Sequence, residues 1–189
     1  MAKLKLGPQA LLYPMPVLLV GSQVAGKPNF MTAVWGGIAC GEPPMVSVAI
    51  RPTRYTLKGI IENKSFSVNI PNTDLVKESD YCGIISGAKA DKVAACGFKV
   101  FFGQLQGAPL IEACPINLEC LVEQTIKLGS HVLVIGRITE CHISEDCLTN
   151  GRADVSKIKP IVYTTGQSHY QALGAVIAKA FSAGNEIKG

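Results

Sequence analysis

Asn29-Phe30-Met31-Thr32-Ala33-Val34-Trp35-Gly36-Gly37, then Pro43-Pro44-Met45-Val46-Ser47-Val48-Ala49-Ile50-Arg51-Pro52-Thr53-Arg54-Tyr55-Thr56, then Ser65-Phe66-Ser67-Val68-Asn69-Ile70-Pro71 decide the fold. In the last piece Phe66, Val68 and Ile70 alternate with Ser67 and Asn69, the period of a half-buried strand. Met45 to Ile50 is a second strand, rich in Val and Ile, between the turn Glu42-Pro43-Pro44 and Pro52. Phe30 to Val34 pairs back on Val17 to Gly21 through the turn Ala25-Gly26-Lys27-Pro28. Gly36-Gly37 loosens the backbone and admits close approach of a ligand or a second chain. Thr53 is placed to cap a helix of about two turns that ends near Asn63.

Outward from this stretch the helices are short and the strands long. Thr73 to Cys82 reads as a helix with Thr73 as its cap, and Asp91 to Cys96 as another, closed by Gly97. Ile116 to Ile126 and His131 to Ile143 alternate around Leu128-Gly129-Ser130, an antiparallel hairpin. Ile161 to Tyr163 is a last short strand. Tyr170, Leu173, Val176, Ile177, Ala180 and Phe181 then recur at helical spacing, predicting a terminal amphipathic helix over about 168–183. Strands without regular βαβ alternation predict a mainly β chain, an antiparallel β-barrel with helical additions. No linker or repeat interrupts it, so one domain over 1–189 is expected.

Charged residues make up 17% of the chain and hydrophobic ones 48%. Ordinary globular chains carry roughly 25% charged residues. So apolar a surface predicts burial against a partner, and a homodimer is expected. The net charge of +4 comes without a Lys/Arg run, which argues against nucleic acid. Seven cysteines (Cys40, Cys82, Cys96, Cys114, Cys120, Cys141, Cys147) include no Cys-x-x-Cys pair, and the three histidines complete no zinc pattern. They read as reduced thiols in a reducing compartment. Lys3 and Lys5 precede an apolar run from Ala10 to Val20, but Pro14 and Pro16 interrupt it, and it is far short of the ~20 residues of a spanning helix. A cytoplasmic protein away from membranes is expected.

No Gly-x-Gly-x-x-Gly, P-loop, Gly-x-Ser-x-Gly or His-Glu-x-x-His motif occurs, which leaves nucleotide-triphosphatase and hydrolase readings without support. What the central stretch offers is hydroxyls, a lone tryptophan and an arginine pair at strand ends and a helix start. A planar ligand with a phosphate tail asks for that set. Thr53 and Thr56 sit where the helix begins, with Arg51 and Arg54 beside them, and such a helix start supplies N–H donors and a favourable dipole. Lys92, opening its own helix, can close over the same anion. The plainer reading makes Thr53 a cap, points the arginines to solvent and makes Trp35 a core or interface residue.

Together, Asn29-x-x-Thr32-Ala33-x-Trp35-Gly36, Pro43-Pro44 before a strand, Arg51-Pro52-Thr53-x-x-Thr56, Phe66-Ser67-Val68-Asn69-Ile70-Pro71, Ser86-Gly87 with Asp91-Lys92, and Gly129-Ser130-His131 resemble the flavin reductase-like family of FMN-binding split barrels, its flavoredoxin branch above all. The resemblance runs from about Leu11 to the C-terminal segment. It implies a Greek-key split barrel, a homodimer and non-covalent FMN. It implies phosphate contacts at Arg51, Thr53, Arg54, Thr56 and Lys92. Ring contacts would come from Asn29, Met31, Thr32, Ala33 and Trp35 on one strand and Ser47, Val48 and Ala49 on the facing one. No side chain need act as acid or base, and no metal is expected.

Family members that use NAD(P)H carry Gly-Asp-His where this chain has Gly129-Ser130-His131, so a negative charge is missing and His131 is the candidate nicotinamide-side residue. His142 reads as a surface residue, and Tyr163, His169 and Tyr170 as possible borders of the pocket. The leading expectation is an FMN redox carrier working between an electron donor and an acceptor, protein or small molecule. An NAD(P)H:flavin oxidoreductase stands second, and a non-redox flavin- or heme-binding module third.

Overall fold

The computed structural model describes residues 1–187. Among the described residues fourteen strands and four α-helices follow one another. They begin with β1 (Met15–Pro16), β2 (Leu18–Val24), β3 (Lys27–Ala33), β4 (Gly36–Gly41), β5 (Pro44–Ile50), α1 (Tyr55–Asn63) and β6 (Ser65–Ile70). Then come α2 (Val76–Ile84), α3 (Lys92–Ala95), β7 (Val100–Phe101), β8 (Leu110–Ile111), β9 (Ile116–Leu128) and β10 (His131–Ile143). The chain continues through β11 (Leu148–Thr149), β12 (Arg152–Ala153), α4 (Val155–Ile158), β13 (Ile161–Thr164) and β14 (His169–Ala172).

Seven strands form one antiparallel sheet in the order β3-β2-β6-β9-β10-β5-β4. Ala25 and Gly26, both at positive φ, make the two-residue β2–β3 turn whose twist matches its strands. Gly129 (φ 49°) and Ser130 do the same between β9 and β10, where Leu128 pairs with His131. Crossovers through α1 and through residues 71–115 give the strand order of a Greek key. The β4–β5 ladder runs on past Gly36 through Ala49 N–H, which donates to Trp35 O at 2.8 Å, so the sheet curls back at the corner where the chain leaves β3. Among the described residues no ladder joins the edge strand β3 to β4 or β5, and the barrel is split.

The barrel interior is filled by Leu18, Val20, Met31, Val46, Val48, Ile50, Phe66, Val68 and Val134, with Leu57 and Ile60 of α1 plugging one end. A second cluster, Leu19, Phe30, Cys82, Phe98, Ile111 and Cys114, lies where α2 and the 96–114 segment cover the outer face of β2 and β3. That cover is latched by buried polar groups. Ser67 Oγ donates to Pro109 O, Asn69 Oδ1 accepts from Ile111 N–H at 2.9 Å, and Glu119 accepts from Leu105 N–H at 2.7 Å. All seven cysteines are free thiols.

Several sequence expectations are corrected. Gly36-Gly37 is not a loosened joint but the start of strand β4, paired with β5. α1 begins at Tyr55, and Arg54, not Thr53, occupies its cap position without a side-chain hydrogen bond, because Arg54 N–H closes a turn onto Arg51 O at 3.0 Å. Thr73 to Leu75 is a 3-10 turn that precedes α2, so Thr73 is no cap. The short strands β7, β8, β11 and β12 were not foreseen.

The terminal helix is absent: residues 169–172 form β14, and no regular structure covers 173–179. Ser168 at φ 56° turns the chain back, and Tyr170 stacks on its cross-strand partner Tyr163 with ring centroids 5.8 Å apart. The apolar stripe beyond meets no surface, since Val176, Ile177 and Phe181 are all exposed. An amphipathic helix draws most of its stability from packing. Among the described residues no helix is long and apolar enough to cross a membrane.

Candidate functional site

Two adjoining cavities open beside the barrel corner. The first, about 260 Å³, is lined by Arg51, Thr53, Arg54, Thr56, Gly87 and Lys92, with Met31, Tyr55 and residues 84–86 completing it. Three cations and no carboxylate line it. The second, about 340 Å³, is lined by residues 31–35, Ala49, His131, Tyr163 and Thr165. Met31, Arg51 and Arg54 belong to both, so a charged end and a slot of mixed polar and apolar lining are continuous.

The charged end is built from the start of α1. No side chain caps that helix, and while Leu57 N–H closes onto Arg54 O at 3.1 Å, the N–H groups of its first two residues suit an external acceptor. Thr56 Oγ1, 1% exposed, accepts from Asn29 Nδ2 at 2.6 Å, which leaves its own hydroxyl proton to donate. Lys92 is 4% exposed, and its Nζ spends one donor on Cys82 O at 3.0 Å, with two remaining. Burial pushes the Lys92 pKa down, and the Arg54 guanidinium adds to this, so the site favours an anion that would restore the charge. Arg54 Nη1 is anchored on Gly83 O at 2.6 Å. Neither arginine nor Lys92 makes an ion pair among the described residues.

The slot has an aromatic wall. Trp35 and His131 face each other with centroids 4.6 Å apart and planes tilted by 34°. Ser130 Oγ lies 2.8 Å from His131 Nδ1. Desolvation, with the nearby Arg51 charge, holds the His131 pKa below its ordinary value and favours the neutral ring. The hydroxyl of Thr32 is committed to Ser79 O, so Thr32 offers a ligand only its methyl and backbone.

The structure brings together Met31, Thr32, Ala33, Trp35, Ala49, Arg51, Thr53, Arg54, Thr56, Lys92 and His131. Asn29 stands behind Thr56. Val48 is buried in the barrel interior, and Ser47 opens on a different, apolar concavity of about 650 Å³ formed with residues 9–12, 14–16 and 34–37. Tyr163 borders the slot, whereas His169 and Tyr170 do not line it, and Tyr170 donates to Asp80 at 3.0 Å. His142, expected at the surface, is half-buried and pairs with Glu119 Oε1 at 2.9 Å. Tyr55, Ile84, Ile85 and Thr165 escaped the sequence reading. Tyr55 sits inside the Arg51–Thr56 motif, while only tertiary packing delivers the other three. Among the described residues no cluster of His, Cys, Asp or Glu could hold a metal.

The donor set suits a phosphomonoester joined to a flat ring: a buried ammonium, a buried hydroxyl, two guanidinium groups and an uncapped helix start at one end, an aromatic slot at the other. Comparison with known proteins agrees with this geometry. A family model described as "Flavin reductase like domain" matches residues 10–173. The fold superimposes on the crystal structure of flavoredoxin from Methanosarcina acetivorans with a TM-score of 0.94 and 38% identity, over 98% of this chain and 99% of that one. Flavoredoxin of Desulfovibrio vulgaris (Miyazaki F) matches with a TM-score of 0.91 and 36% identity, over 97% of this chain and all of that one. An NADH:FMN oxidoreductase of Rhodococcus erythropolis is 26% identical, over 82% of this chain and 74% of its own length.

Proposed function

The chain belongs to the flavin reductase like domain family, and from that premise we propose that it is a redox protein of the flavoredoxin type that holds FMN without a covalent bond. One observation carries this reading: the charged cavity and the aromatic slot share Met31, Arg51 and Arg54, so a single ligand can reach both. FMN, when bound, supplies the electron-transfer chemistry. The chain binds, orients and shields.

In this reading Lys92, Thr53, Thr56, Arg51, Arg54 and the α1 start hold the phosphate dianion through charge-assisted hydrogen bonds. Asn29 orients the Thr56 hydroxyl. Met31 to Ala33 and Ala49 line the ring slot, and Trp35 and His131 wall it. Arg51, shared by both cavities, stands near the ring as well as the phosphate and would favour negative charge on it.

We read 1–189 as one such domain, working as a homodimer. Trp35, Ile38, Leu128, Val176, Ile177 and Phe181 are exposed in the single chain, apolar groups that a second copy would cover in this reading. The physiological partners are an electron donor and an acceptor. A second reading, an NAD(P)H:flavin oxidoreductase, draws support from the name of the Rhodococcus relative and from His131 on the slot wall. The missing acid at Ser130 weighs against it.

The test is spectral. Purified protein should be yellow or bind FMN stoichiometrically, with the emission of its single tryptophan quenched as FMN fills the slot beside it. Colourless protein that takes up no FMN in calorimetric titration would overturn the proposal. Rapid anaerobic bleaching by NADH or NADPH would favour the oxidoreductase reading over the carrier.

A further inference from the structure

Two thiols meet beside Lys92, the buried cation of the charged cavity. Lys92 Nζ donates to the carbonyl of Cys82, in the last turn of α2, at 3.0 Å. At the other end of α3 the N–H of Cys96 donates to Lys92 O at 3.0 Å. The two cysteines therefore flank the ammonium, and their side chains touch: the Cys82 thiol donates a hydrogen bond to the Cys96 sulfur. Both belong to the second apolar cluster, Cys82 fully buried and Cys96 half-buried.

A buried cysteine ordinarily serves as an inert small hydrophobe, which accounts for Cys114 and Cys120. Two observations set Cys82 and Cys96 apart. Their sulfurs are already in contact, which is what a disulfide asks of its partners. Glu78, one turn before Cys82 on α2, also places Oε2 in the interior with no hydrogen-bond partner among the described residues, and its charge reaches both thiols. That free carboxylate oxygen can take the proton of a thiol ionising beside it. Burial pushes the Cys82 thiol up to about 12. It raises Cys96 as well, but there the Cys82 hydrogen bond and the Lys92 charge pull the other way. Cys96 is thus the thiol that ionises first, and it is the one that solvent reaches.

We propose that Cys96 and Cys82 are a redox-active dithiol, closed to a disulfide by a hydroperoxide, and that closure weakens the anion site at Lys92. The Cys96 thiolate attacks the peroxide: an S–O bond forms, the O–O bond breaks, and the leaving oxygen departs as water or an alcohol with the thiol proton, carried by Glu78. The Cys82 sulfur then attacks Cys96: the S–S bond forms, the S–O bond breaks, and hydroxide leaves as water with the Cys82 proton. The dithiol is oxidised and the peroxide is reduced. A soluble dithiol reverses the change by exchange. Joining the sulfurs draws the end of α3 onto α2. Lys92 opens α3 and is tethered to Cys82 O, so its ammonium shifts with them. The thiol step stands apart from the flavin reading given above, whereas the effect on flavin binding rests on it.

The test is peptide mapping by mass spectrometry of the full chain after excess hydrogen peroxide, with calorimetric titration of FMN before oxidation, after it and after dithiothreitol. A linked Cys82–Cys96 peptide should appear, FMN affinity should fall by about tenfold, and dithiothreitol should restore it. Dithiothreitol leaves methionine sulfoxide as it is, so recovery identifies the disulfide as the cause. Cys96→Ser should bind FMN like the reduced wild type, form no such link and keep its affinity in peroxide. Absence of the Cys82–Cys96 peptide, or a Cys82–Cys114 link in its place, overturns the dithiol. A linked protein whose FMN affinity stays within about twofold, or a serine variant that weakens as much as the wild type, overturns the coupling. Reduced wild type that takes up no FMN overturns the flavin reading and the coupling together, and the peptide map then decides the dithiol by itself. A serine variant that does not fold is replaced by Cys96→Ala, judged by the same measurements.

Discussion

Asn29 Nδ2 donates to Thr56 Oγ1 at 2.6 Å, tying β3 to the first turn of α1 across 27 residues of chain. Both side chains are buried, so the bond is shielded from water and sets where the Thr56 hydroxyl points. It couples the strand beside the slot to the helix start beside the charged cavity.

Thr56→Val should therefore act twice. It removes a donor to the phosphate and leaves the Asn29 amide without its acceptor, at a cost of about 1–3 kcal/mol in the flavin-free protein. Chemical denaturation measures the second effect and FMN calorimetry the first. Thr56→Ser should restore most of both, and a valine variant with unchanged stability would remove the orienting role of Asn29.

Lys92 predicts opposite pH trends for folding and binding. Its folded pKa lies below the unfolded lysine value of about 10.4. Burial of the charged form therefore costs stability at neutral pH, and the cost is relieved as pH rises from the folded pKa to the unfolded one. Phosphate binding needs the ammonium and should weaken over the same window. The stability difference between wild type and Lys92→Met should shift in favour of wild type on going alkaline, while wild-type FMN affinity falls. At neutral pH the methionine variant should lose about 1.5–3 kcal/mol of FMN affinity.

Gly87→Ala tests the close approach of the 87–91 turn. The added methyl meets Asn29 Oδ1 and Tyr55, so one of them must move, at a cost of about 1–3 kcal/mol. Thermal melting should register the strain, and FMN affinity should fall because Asn29 carries Thr56 with it. Unchanged melting and affinity would mean that the turn simply shifts outward.

His142→Ala probes the latch on the other side of the sheet. Glu119 is fully buried, and its carboxylate is held by His142 Nε2 at 2.9 Å and Leu105 N–H at 2.7 Å. Removing the imidazole should destabilise the fold by about 1–2 kcal/mol, a loss kept modest by the partial solvent access of the histidine. FMN affinity should hold, since neither residue lines the flavin cavities.

Much of this was legible in the chain because it rests on local rules. The alternation of Ser65 to Ile70, the long alternating runs on either side of Gly129-Ser130 and the turn at Ala25-Gly26 each depend on neighbours a few residues away. Much of the lining of the charged cavity lay together in the sequence, since Arg51 to Thr56 are contiguous, whereas Lys92 joins them from a separate helix. The terminal segment was misread because its helical stripe is a local signal with no surface to satisfy it, while pairing with β13 is not local. His142 was misread because its partner Glu119 becomes a neighbour only when β9 and β10 pair.

From the sequence alone came the longer strands, the antiparallel β2–β3 and β9–β10 hairpins and the cluster of hydroxyls and cations before α1, since side-chain period and turn chemistry act over short chain separations. Tertiary structure decided that Lys92 and Thr56 line one cavity, that Trp35 faces His131, that Val48 turns into the core and that no side chain caps α1. Those outcomes depend on how the sheet curls and where its edges close, and burial and hydrogen bonding settle them between residues far apart in the chain.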